Sequence, residues 1–128
     1  MTHGLTLTLS HKFPSLNEAI AAAKKHWASY YKMKKEHTGF VSDYVRLLRN
    51  MGGFPQEILD HVSLYIVFQE KVKGRLRDWD NITFAKKFIL DGLVDAGVIH
   101  DDSPKHIVSI TEKVFYGDEH TVTVRIET

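Results

Sequence analysis

Apolar residues recur at every second position in some stretches of this chain and at every third or fourth in others, so it has to build strands and helices around a shared core. Leu5-Thr6-Leu7-Thr8-Leu9 alternates, which predicts a half-buried strand. Phe13-Pro14-Ser15 ends it, and Ser15 with Glu18 makes a capping box. The helix that follows is predicted from Leu16 to about Lys35, with Ala19, Ala22, Ala23, Trp27 and Tyr30 or Tyr31 on its inner side. Thr38-Gly39 reads as a break. Val41, Tyr44, Val45 and Leu48 then define a second helix, stopped by Gly52-Gly53. Val62 to Phe68, rich in β-branched and aromatic residues, predicts a buried strand. A third helix is expected from Asn81, its cap, with Ile82, Ala85, Ile89, Leu93 and Ala96 inward, Lys86 and Lys87 outward, and Gly97 as the stop. His106 to Phe115 and Thr121 to Ile126 alternate about Gly117-Asp118 and predict a closing hairpin. The order is β-α-α-β-α-β-β: an α+β fold, one domain over residues 1–128, with a mixed sheet and helices mainly on one face.

At 128 residues the chain has little room for a deep pocket, so a large substrate on an open face is expected rather than an organic cofactor. It contains no cysteine, which excludes disulfides, thiolate zinc sites and cysteine nucleophiles and suits a reducing cytoplasm. No apolar run reaches the roughly 20 residues that cross a membrane. Met1-Thr2-His3-Gly4-Leu5 has no basic start followed by an apolar core, so no secretory signal is expected. Net charge is only +1, yet it is patchy. Lys24, Lys25, Lys32, Lys34 and Lys35 stand against Glu36, and Lys71, Lys73, Arg75 and Arg77 stand against no acid. Such patches form either a solvated surface or a phosphate-binding face.

The stretch with chemistry in it is Arg77-Asp78-Trp79-Asp80-Asn81, followed by Lys86-Lys87, Asp91 and Asp101-Asp102. In extended backbone, residues two apart share a side, so Asp78 and Asp80 can present two carboxylates to one point. Asp102 joins them if the chain folds back after the helix. Three such carboxylates suit a hard cation such as Mg²⁺, which takes oxygen ligands and can activate water at a phosphodiester. On spacing alone the signal is weak, since Asp-x-Asp is common and Asp101-Asp102 also suits a plain turn.

Arg77-Asp78-Trp79-Asp80-Asn81, then Leu90-Asp91-Gly92-Leu93, then Ala96-Gly97-Val98-Ile99-His100-Asp101-Asp102 together resemble the RusA family of phage-derived Holliday-junction resolvases. The close match covers residues 77–102, and Pro14-Ser15-Leu16-Asn17 is similar to the family's early turn. The resemblance implies a homodimeric endodeoxyribonuclease that binds four-way junction DNA and nicks two opposed strands with Mg²⁺ or Mn²⁺, in recombination and repair. Its metal-binding acids fall on Asp78, Asp80 and Asp102. Its catalytic lysine falls on Lys87 when counted back from Asp91, with Lys86 in reserve, because the helix is about a turn longer here.

Around that set, Arg77, Arg75, Lys73 and Lys86 are candidate DNA contacts. Arg77 meets a phosphate or is a loop charge. Trp79 is expected to pack inward, and Asp91 to pair with Lys87 at i,i+4. The eight histidines form no close ligand pair and read as surface or core. A nuclease for other DNA structures and a DNA-binding module without activity are the alternatives.

Overall fold

In a computed structural model that describes residues 4–72 and 76–128, four strands form one mixed sheet: β1 (Gly4–Ser10), β2 (Val62–Lys71), β3 (Ile107–Gly117) and β4 (Thr121–Glu127). Their order across the sheet is β1-β4-β2-β3, with β2 and β3 parallel and the other pairs antiparallel. Alternation decides which side is covered. Leu7 and Leu9, Leu64, Ile66 and Phe68, and Val122, Val124 and Ile126 all point to one buried face. Thr6, Thr8, Tyr65 and Arg125 point to the exposed one.

The two C-terminal strands exist, but they do not form the expected hairpin. β2 lies between them, and residues 118–120 cross its end. The most continuously apolar strand, β2, takes one of the two interior places, beside β4. The less buried β3 is left outside.

The buried face is covered by α1 (Leu16–Lys25), α2 (Trp27–Asn50), α3 (Trp79–Thr83) and α4 (Ala85–Asp95). The capping box forms: the Glu18 N–H donates to Ser15 Oγ at 3.0 Å and the Ser15 N–H to Glu18 Oε1 at 3.2 Å. The first helix is shorter than its periodicity suggests. His26 adopts an extended conformation, and its Nδ1 accepts the Ala28 N–H at 3.1 Å to cap a new helix. Trp27 and Tyr31 are consequently exposed, not inward.

The break expected at Thr38-Gly39 is absent, and α2 runs through it. A glycine in a helix costs about 1 kcal/mol, less than the burial of Val41 and Val45 on the next turns returns. Gly92 has a sharper reason. A Cβ there would lie 2.5 Å from Val41 Cβ, so only glycine lets α4 approach α2 this closely. The third helical stripe is placed as expected: Ile82, Ala85, Ile89, Leu93 and Ala96 are all buried, and Gly97 takes a φ of 72° where the helix ends. Among the described residues no helix is long and apolar enough to cross a membrane.

Candidate active site

The site begins at the end of β2. The inward row of that strand, continued past Phe68, reaches Glu70, an acid only 3% exposed. Arg77 Nη2 donates to Glu70 Oε1 at 2.9 Å and Arg77 Nε to Oε2 at 2.5 Å, while Nη1 donates to the Phe13 carbonyl at 3.1 Å. His120 Nδ1 lies 2.6 Å from the same carboxylate. Burial pushes the Glu70 carboxyl up, but the Arg77 hydrogen bonds and charge, with His120, outweigh it and hold the group below its ordinary value. Arg77 is thus more than a loop charge: three of its five N–H donors go to a buried acid and a backbone carbonyl, which gives it a structural role. No sequence motif marks this cluster. Its signal was there, since Glu70 continues the alternation Val62, Leu64, Ile66, Phe68 by one step.

Anchoring Arg77 fixes where α3 starts. Asp78, not Asn81, is the N-cap, and Asp80 sits in the first turn, so the two acids do not share an extended segment. Asp78 Oδ1 accepts the Asn81 N–H at 3.1 Å and Asn81 Nδ2 at 2.9 Å. Asn81 Oδ1 in turn accepts the Asn17 N–H at 2.9 Å. The early turn and the acidic segment, 64 residues apart, are thereby joined through one side chain. Asp80 is exposed, and among the described residues its carboxylate accepts no hydrogen bond. Trp79 is 56% exposed, against the expectation of inward packing, because the cap turns position 79 to solvent.

Further along, the two lysines diverge. Lys87 Nζ lies 3.4 Å from Asp91 Oδ2, the expected i,i+4 pair, and Lys34 Nζ of α2 lies 3.7 Å from the same oxygen. Lys86 instead reaches across to pair with Glu112 on β3. An open groove of about 1130 Å³ runs between α2 and α4, with Lys32, Lys34, Lys35 and Arg46 on its walls beside Asp91 and Asp95. Lys73 and Arg75 lie outside the described residues.

Asp102 is exposed in the turn before β3. That turn is tied to the start of β2, where the Val62 N–H donates to the His106 carbonyl at 3.0 Å. Asp78 is tied to the end of β2 through Arg77 and Glu70. From Val62 to Glu70 a strand extends on the order of 25 Å, so Asp102 and the Asp78–Asp80 pair occupy opposite ends of the sheet. Among the described residues no group of three or more His, Asp or Glu side chains is placed to hold a metal ion. The three carboxylates of a single chain therefore do not fit a shared cation.

Two histidines meet where the sequence shows no ligand pair. His11 Nε2 and His37 Nδ1 are 2.8 Å apart, and His11 stacks on Phe40 at 4.1 Å between ring centroids. Burial lowers both pKa values from the ordinary 6.5, and for His11 the neighbouring His37 lowers it further. Between the lowered folded value and 6.5 the unfolded chain binds more protons, so this pair loses stability as pH falls below 6.5. His37→Gln is expected to flatten the change in urea midpoint between about pH 7 and pH 5.5. An unchanged slope would assign the acid sensitivity elsewhere.

No family model matches this chain, and no curated protein matches it significantly.

Proposed function

We propose that this protein is an endodeoxyribonuclease of the RusA type that cuts four-way junction DNA as a homodimer, with a divalent cation, Mg²⁺ or Mn²⁺. The observation that carries the reading is the Asn17–Asn81–Asp78 link. The two segments bearing the resemblance touch, and the contact holds one proposed carboxylate in place beside an exposed second one, Asp80. Helix edges carrying Lys32, Lys34, Lys35 and Lys87 supply positive charge for a phosphate backbone. Bare carboxylates hinder the approach of a polyanion, and a cation between them removes that obstacle.

The distance of Asp102 from the other two acids favours a second reading, a DNA-binding module without activity. One assay separates them. Labelled four-way junction, flap and linear duplex are incubated with the purified protein in Mg²⁺ and in EDTA. We expect paired nicks in the junction, little cutting of duplex, and none in EDTA. Tight junction binding with no cutting in Mg²⁺ supports the binding module. Equal cutting of junction and duplex removes the preference for branched DNA.

A further inference from the structure

The helical hairpin of α1 and α2 stands clear of the core. Between Leu16 and Phe40 only Ala19 is buried. Trp27, at the corner where His26 turns the chain, is 74% exposed, and Tyr31 is 62% exposed. Large aromatic side chains gain most from burial, yet these two are left in water. They stand at i and i+4 on α2, so they share one face, about one helical turn apart. Lys34, Lys35 and Thr38 continue that face at the next intervals of three and four. Lys24, Lys25 and Lys32 flank it on the same hairpin, against only Glu18 and Glu36, and Glu18 is engaged in the Ser15 cap.

We propose that this face is a binding site for unpaired DNA: Trp27 and Tyr31 stack on bases of a single strand, and the lysines around them hold its phosphates. Every base has a π-face, so aromatic platforms flanked by cations take single strands with little regard to sequence. A duplex offers the same phosphates but keeps its bases stacked on one another, so the exposed rings gain little from it. Past Tyr31 the face opens into a cavity of about 220 Å³ lined by Tyr31, Lys34, Lys35 and Thr38. Thr38 Oγ1 has no hydrogen-bond partner among the described residues, an unmet polar group on the wall of that cavity.

The face adjoins the candidate active site. Asn17, in the first turn of α1, is bonded to Asn81, which in turn holds Asp78. Lys34 shares Asp91 with Lys87, at 3.7 and 3.4 Å. Both ion pairs are long and partly exposed, so a phosphate draws Lys34 away at little cost. The other surface that takes basic, aromatic helices is an anionic lipid bilayer, which calls for a continuous apolar stripe. Lys34, Lys35 and Thr38 interrupt the stripe here, which favours DNA. Stacking on Trp27 involves neither the acids nor a cation, so the site extends the nuclease reading without depending on it.

The chain has two tryptophans, so Trp79→Phe leaves Trp27 as the sole indole. In EDTA, that protein is titrated with oligothymidylate, with an abasic oligonucleotide of the same length, and with phosphatidylserine vesicles. Oligothymidylate is expected to quench the Trp27 emission, and the abasic strand, which has phosphates but no bases, to leave it nearly unchanged. Equal quenching by both strands, or no response to oligothymidylate, overturns the stacking. A response to vesicles with none to either strand assigns the face to lipid and overturns the proposal as well. In a second arm, Trp27→Ala is expected to weaken binding of oligothymidylate about ten-fold and binding of duplex by less than about two-fold. Trp27→Phe is expected to restore most of the loss, since it returns an aromatic face. An equal loss on both DNAs, or none on the single strand, counts against the site. Junction cutting without quenching removes the single-strand site and leaves the nuclease reading standing, and quenching without cutting does the reverse.

Discussion

Asp80→Asn is expected to abolish junction cutting, by at least about 10²-fold, while leaving junction binding unchanged or tighter. The side chain is exposed in the first turn of α3 and takes no part in the core, so the fold should survive. The change gives up only about 0.5 kcal/mol of charge–dipole stabilisation. It removes a negative charge from a surface that must meet phosphates, which can only ease binding when no cation is present. Nicking of labelled junction in Mg²⁺ and a mobility shift in EDTA measure the two effects separately. Lys87→Ala is expected to lose most cutting as well. Lys87 lies two turns beyond Asp80 along the α3–α4 helical run, and a cation near a reacting phosphate is worth about 3 kcal/mol. Lys86 turns to Glu112 instead. A dead Lys86→Ala beside a normal Lys87→Ala moves the role to Lys86. If all three variants cut at the wild-type rate, the chemistry is elsewhere.

The legible parts of this fold were those set by local pattern. Ser15 with Glu18, the apolar stripe from Ile82 to Ala96, and the element order all follow from spacings within a few residues of one another. Strand neighbours do not. Nothing near Gly117-Asp118 in the sequence says that β2 will insert between β3 and β4, because that choice is made by how much apolar surface each strand must bury. The helix break failed for a related reason. Gly39 is a local cue and His26 is not, but the packing of Val41 and Val45 overrides the first, and an imidazole cap creates the second.

For the candidate site, composition and resemblance named the residues but not their distances. Alternation in an extended segment placed Asp78 and Asp80 side by side, whereas the Asp78 cap starts the helix early and turns Asp80 and Trp79 to solvent. Asp102 could be brought to them only if the chain folded back. The parallel β2–β3 pairing forbids this, since a crossover helix must begin at one end of the sheet and deliver the chain to the other. Acids that stand within 25 residues of one another in the sequence therefore lie at opposite ends of the sheet in space.

The Glu70–Arg77 pair carries the second large expectation. Arg77→Met is expected to destabilise the fold by about 3 kcal/mol, a fall of roughly 10 °C in Tm, because it leaves a buried carboxylate without its cation. Both side chains are largely shielded, at 19% and 4% exposure, so solvent replaces little of the lost interaction. The effect depends on pH in a definite direction. In the native protein Glu70 is held below its ordinary 4.5, so its contribution is full above 4.5 and is lost as pH falls through the lower folded value. Without Arg77, burial is the remaining large influence and pushes the carboxyl up. The variant then gains stability relative to the native protein as acid protonates the group. Urea melts should therefore show the largest gap between the two at about pH 7.5 and a smaller one near pH 4. Adding Glu70→Gln to Arg77→Met should recover part of the loss by removing the unpaired charge. A double variant less stable than Arg77→Met, with a gap that does not change with pH, would mean that Arg77 acts through the Phe13 carbonyl rather than through Glu70.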